Sequence, residues 1–186
     1  MMTTQRRRPP RGFTLLELIA VTSAVALMSG ILLDRILVYQ EMAERVSMQQ
    51  VVRSLRISLQ LQVANLIAKN RIEALPKLAE QNPMVWLAQP PDNYAGEFVS
   101  ARQGSVAPGQ WYFNLESRKL IYLVHNGTHF RSESIGPKQV VFQARVIRSK
   151  SEKGEDGAGA IEGIVLEEVN AYEWFKQSFS LEAVQQ

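Results

Sequence analysis

The 186-residue chain has no cysteine. No disulfide framework and no thiolate metal site can therefore form. Histidine is scarce, with only His125 and His129. Four apart, the two could share a metal on a helix. They flank Asn126-Gly127-Thr128, a turn signal at a strand end, and no third ligand is evident. The chain also lacks a Gly-rich phosphate loop, a Gly-x-Ser-x-Gly elbow and a Cys/His nucleophile pair. These gaps lead to the expectation that it is not an enzyme and holds no metal or cofactor. Acids and glycines do meet in the stretch containing Glu152, Glu155, Asp156 and Glu162, but not at calcium-loop spacing. A solvated hairpin loop is the expectation there.

Basic charge is scarce outside the N-terminus. Residues 1–12 hold Arg6, Arg7, Arg8 and Arg11 and no acid. Without them the basic count drops from 21 to 17 against 18 acids, and the net charge of +3 becomes −1. No Lys/Arg stripe with interleaved aromatics occurs elsewhere, so a nucleic-acid partner is not expected. Hydrophobic content is 46%, enough for a packed core. The length suits one ordinary domain plus a helix.

The chain does have a long apolar run. Phe13 to Leu33 reads FTLLELIAVTSAVALMSGILL, with Glu17 its only charge. At 1.5 Å per residue it spans about 31 Å, the thickness of a bilayer core. The arginines before it would keep the N-terminus cytoplasmic while the rest crosses. Three simpler explanations compete. Ala24-Val25-Ala26 fits a signal-peptidase site, but Leu27 to Leu33 continue the apolar run past it. A twin-arginine signal is interrupted by Pro9 and Pro10. An unprocessed signal anchor leaves Glu17 without a purpose. A carboxylate inside a membrane helix costs roughly 2.5–3.5 kcal/mol on insertion scales, so it calls for a partner.

Arg11-Gly12-Phe13-Thr14-Leu15-Leu16-Glu17 resembles the processing site of type IV pilins and type II secretion pseudopilins. The resemblance covers about 25 of the 186 residues. It implies a leader over 1–12, cleavage by prepilin peptidase between Gly12 and Phe13, and N-methylation of Phe13. It implies that Glu17 pairs with the terminal amine of a neighbouring subunit. Partners would be other pilins or pseudopilins, membrane lipid, and an inner-membrane platform driven by a cytoplasmic ATPase. The chain would sit in a bacterial inner membrane as a single-pass protein with its C-terminal domain outside. The missing cysteine pair departs from many major pilins and favours a minor pilin or pseudopilin. Glu17 argues against the tip pseudopilin that lacks this acid. The alternative is a membrane-anchored or filament-displayed adhesin, which an exposed aromatic groove in 84–130 would support.

The expected fold is α+β and pilin-like: a long N-terminal helix on a small antiparallel sheet of about four strands. Residues 13–33 form the transmembrane part and 34–74 the extracytoplasmic half of that helix. Residues 75–186 form the globular domain. Residues 34–73 lack proline and glycine. Ile36, Tyr39, Ala43, Val46, Val51, Val52, Leu55, Leu59, Val63, Leu66 and Ile67 recur at roughly helical spacing. One helix from about Thr14 to about Ala74 follows, with Gly30 its soft spot. Prolines at 76, 83, 90 and 91 predict loop over 75–110, with a short helix at 83–87 in which Trp86 packs on the long helix. Trp111–Asn114 and Leu120–Val124 read as a hairpin, Val140–Arg148 as a third strand and Ile161–Val169 as a fourth.

Overall fold

A computed structural model describes residues 14–99, 105–133, 136–149, 159 and 161–175; of Asp34 it describes the backbone alone. The chain divides into two compact units, Met1–Gln40 and Glu41–Gln186. The expected leader lies outside the described residues.

The first unit is helical from Leu15 onward. Helix α1 runs from Leu15 to Ala68 and continues unbroken through Gly30. Leu15, Leu16, Leu18, Ile19, Val25, Leu27 and Leu32 are all exposed. A helix that is apolar on every side and uncovered belongs in lipid or against a partner. This one is long and apolar enough to cross a membrane. Thr22 causes no break, because its Oγ1 donates back to the carbonyls of Leu18 and Ile19 at 2.9 and 3.0 Å.

The helix ends earlier than the sequence predicts. Asn70 adopts a left-handed φ of 53°. Asn70 N donates to Ile67 O and Arg71 N to Leu66 O, both at 2.9 Å. That pair of bonds is a Schellman cap with asparagine in the usual glycine position. A 3-10 turn at Ile72–Ala74 and a short helix α2, Leu75–Ala79, follow. Pro76 is tolerated because it sits in the first turn of α2, where an N–H would have no partner anyway. A second 3-10 turn, Pro83–Trp86, matches the expected short helix. Asn82 starts it by accepting from Met84 N at 3.0 Å.

Among the described residues the second unit holds seven strands. These are β1 Tyr94–Phe98, β2 Trp111–Asn114, β3 Lys119–Leu123, β4 Phe130–Ser132, β5 Gln139–Arg148, β6 Ile161–Glu168 and β7 Tyr172–Trp174. Five of them form one sheet in the order β1-β2-β3-β5-β6, and β4 pairs with β7 in a second. The four expected strands are present as β2, β3, β5 and β6, all antiparallel neighbours. The expected all-antiparallel sheet needs correcting, because β1 joins β2 in parallel, with Tyr94 opposite Trp111. The architecture is α+β with a mixed five-stranded sheet.

Alternation places the core. Trp111, Phe113, Leu120, Tyr122, Val140, Phe142 and Leu166 are buried in one cluster with Met48, Val52, Leu55 and Leu59 of α1. Trp86 joins that cluster, as expected. Tyr112, Ile121 and Val141 point to the other face, where Ala95, Phe98 and Val106 cover them. A strand covered on both faces loses its polar alternation. That explains the consecutive apolar residues Val140, Val141 and Phe142. The helix stripe also needs correction. Val46 is 61% exposed and Ile36, Tyr39 and Ile67 are exposed too, whereas Met48 is buried.

Candidate functional site

Of the residues singled out in the sequence, Arg6, Arg7, Arg8, Arg11, Gly12 and Phe13 lie outside the described residues. Glu17 is described. It is the third residue of α1 and is exposed. Its backbone N–H donates to Thr14 Oγ1 at 3.2 Å, so Thr14 caps the helix. Thr14 carries no special role in the processing motif. Yet Thr14-Leu15-Leu16-Glu17 spells the S/T-x-x-E pattern of a helix start, with an acid at the electropositive end. That pattern is the signal from which the cap can be read.

A second site is not legible as such in the sequence. Glu41 lies on α1 with only 1% of its surface exposed. Its carboxylate accepts from three donors: His129 N at 2.8 Å, His129 Nδ1 at 2.8 Å and Trp174 Nε1 at 3.1 Å. Glu44 lies three residues on, on the same face of the helix. It accepts from His125 N and Asn126 N at 2.7 Å each and from the Tyr122 hydroxyl at 3.0 Å. Two carboxylates thus hold the 125–129 turn and β7 on the helix. Burying a carboxylate is tolerable only when donors surround it. Hydrogen bonds to a charged acceptor contribute about 1.5–3 kcal/mol each.

The turn they hold is closely packed. A methyl group on Gly127 would come within 2.8 Å of Lys138 Cδ and 3.0 Å of Val124 Cγ1. Lys138 Nζ donates to the Gly127 carbonyl. The His129 ring stacks on Phe175, with centroids 4.9 Å apart. Phe175 has a left-handed φ of 60° and its N–H returns to His129 O at 3.4 Å. Burial, together with the charge and hydrogen bonding of Glu44, pushes the Tyr122 phenol well above its usual range.

The two histidines are not arranged as a pair of ligands. The His129 ring is committed to Glu41, while His125 offers its backbone to Glu44. Among the described residues, no group of three His, Asp or Glu stands together to hold a metal ion. Glu152, Glu155 and Asp156 lie outside the described residues, and Glu162 is exposed on β6. Trp86, Trp111, Tyr112, Phe113, Tyr122 and Phe130 are all buried. They do not form the exposed aromatic groove that an adhesin reading needs.

Clefts line the helix. One of about 430 Å³ lies between Ser47, Gln50 and Ser54 of α1 and the segment Leu87–Pro91. Another, of about 180 Å³, lies between Met48, Val52, Arg53 and Arg56 of α1 and Glu168 and Tyr172. The Tyr172 phenol is pushed up to about 12, chiefly by burial and then by Glu168, with Arg45 and Arg56 opposing the rise.

No family model matches the chain, and neither a curated protein nor a solved structure is significantly similar to it.

Proposed function

We propose that the chain is a structural subunit of a type IV pilus or type II secretion pseudopilus, a minor pilin or pseudopilin. In this reading it waits in a bacterial inner membrane with its second unit outside. Prepilin peptidase removes residues 1–12, Phe13 is methylated, and α1 enters the filament.

The observation that carries the reading is a lone carboxylate at the start of an uncovered apolar helix, directly after Arg11-Gly12-Phe13. The helix end alone does not account for it. A macrodipole favours an acid by about 0.3–1 kcal/mol at an exposed helix start. Placing that acid in a membrane costs roughly 2.5–3.5 kcal/mol. The difference calls for a cation from elsewhere. Cleavage after Gly12 would create one, an amine on Phe13 of the adjacent subunit. Such a pairing also sets register, since a slipped subunit leaves both charges unpaired. The second unit supports the same reading. It packs a mixed sheet on the later turns of α1.

Glu17→Ala is expected to leave cleavage and membrane insertion intact and to impair incorporation into the filament. Co-assembly of this variant at the wild-type level would rule out the pairing role.

A further inference from the structure

The 180 Å³ cleft on α1 has a chemistry that the folding of this chain uses only in part. Arg45 and Arg56 lie eleven positions apart, close to the same line along a helix with 3.6 residues per turn. Arg53 stands beside them. Arg56 is held in place by its Nε bond to Leu166 O at 3.4 Å. Its nearest carboxylate, Glu168, is 3.8 Å away, and both side chains are close to half exposed. Among the described residues, neither Arg45 nor Arg53 has a carboxylate within ion-pair distance. Two guanidinium groups, Arg53 and Arg56, thus line the cleft beside its one acid, Glu168, and Arg45 acts on Tyr172 from nearby, so the local surplus is positive.

The cleft also has a floor and a wall. Met48 and Val52, both buried, form the floor, and Tyr172 stands at the side. The Tyr172 hydroxyl is hydrogen-bonded to Glu168, so that wall of the cleft is braced within the chain and the arginines supply the free donors. Size narrows the choice of occupant. Liquid water takes about 30 Å³ per molecule, so the space equals roughly six waters. Sites for drug-sized ligands and cofactors run to about 300–1,000 Å³. The space suits one side chain with a short apolar stem and a carboxylate tip. Arginine forks match a carboxylate with two parallel bonds.

We propose that the cleft between the Arg53–Arg56 face of α1 and the β6–β7 segment receives an acidic side chain of a neighbouring protein subunit. The proposal rests on the filament reading, because that reading supplies the neighbour. A contact between unlike surfaces of successive subunits is the kind that propagates a filament instead of closing a dimer. Unlike the apolar helix, the cleft would select among partners by charge, since a like charge placed there is repelled.

The test is zero-length carbodiimide coupling on full-length Arg53→Lys protein in its native membranes and filaments. The substitution keeps the charge and adds a primary amine. The carbodiimide activates a carboxylate, the amine displaces the activated group to form an amide, and the reagent leaves as its urea, having taken up the water. The expected product joins the new amine at position 53 to a Glu or Asp of a second polypeptide, located by peptide mass. It should be absent from Arg53→Gln, and Arg53→Glu should reduce filament incorporation several-fold. The N-terminal peptide is read on the same sample. If it begins at methylated Phe13 while the position-53 amine couples only within its own chain, or not at all, the cleft proposal is overturned and the filament reading stands. If the leader is intact, the filament reading fails first, and the cleft proposal falls with it.

Discussion

Trp174 Nε1 donates to the Glu41 carboxylate at 3.1 Å, joining positions 133 residues apart. Glu41 is among the most deeply buried side chains of the second unit, although it is an acid. The contact fastens the last described strand to the first turn of that unit's helix. Together with Glu44 it explains why a short, turn-rich segment such as 125–129 holds one conformation.

Removing the Glu41 carboxylate should therefore cost more than removing an apolar side chain of similar size. Glu41→Ala strands His129 N, His129 Nδ1 and Trp174 Nε1 together. The expected loss is about 3–5 kcal/mol, because each stranded buried donor costs about 1–3 kcal/mol. Glu41→Gln should lose less, about 1–3 kcal/mol, because one amide oxygen still accepts. Thermal unfolding of the full chain in detergent measures both. Equal, small losses would show that the latch contributes little.

Gly127 is required for space. Lys138 can swing its far end away from an added methyl group, but Phe130 Cβ, at 3.3 Å, is fixed by the backbone and Val124 Cγ1, at 3.0 Å, belongs to a buried side chain with one stiff rotamer. Gly127→Ala should destabilise by about 1–3 kcal/mol, the usual range for overpacking. Combining it with Glu44→Gln should cost less than the sum of the two, since both changes loosen one turn. A double-mutant cycle reads this directly, and strict additivity would contradict a shared turn.

Alkaline pH should unfold the second unit. Tyr122 and Tyr172 are both raised above the ordinary phenol value, Tyr172 to about 12. Below about pH 10 both states keep the proton and the two groups leave stability unchanged. As pH climbs from about 10 towards 12, the unfolded chain loses protons that the folded one retains, and stability falls. Melting temperatures should drop across that window. Tyr172→Phe should flatten part of the drop, and an unchanged slope in that variant would remove Tyr172 from the account.

The helix has two faces of unequal weight. Leu55→Ala should cost about 2–5 kcal/mol, as buried leucines do. Val46→Ala, at an exposed position, should change the stability of the isolated subunit by less than about 0.5 kcal/mol. A large effect at Val46 in purified monomer would mean that this face is covered within the chain itself.

Much of the second unit can be read from the sequence because its signals are local. The β2–β3 hairpin rests on the polar turn after Asn114, whose Oδ1 accepts from Glu116 N and Ser117 N. Val52, Leu55 and Leu59 announce their face by spacing alone. The rest depends on partners far along the chain. Strand β1 lies behind Pro90 and Pro91 and contains Gly96 at a φ of 109°, both of which argue against a strand. Strands β4 and β7 are three residues each, too short for a period to show. The helix end escapes a sequence reading because Asn70 does what glycine usually signals. Glu41 reads as a solvent-facing charge, since its donors arrive from 88 and 133 positions away. The N-terminal motif is the reverse case, legible in sequence with Glu17 alone of its key residues described.

The decisive measurement is the mass of the N-terminal peptide from membrane-purified protein. The expected peptide begins at Phe13 and carries one added methyl group. An intact leader, or a chain that starts at Leu27, would contradict prepilin processing.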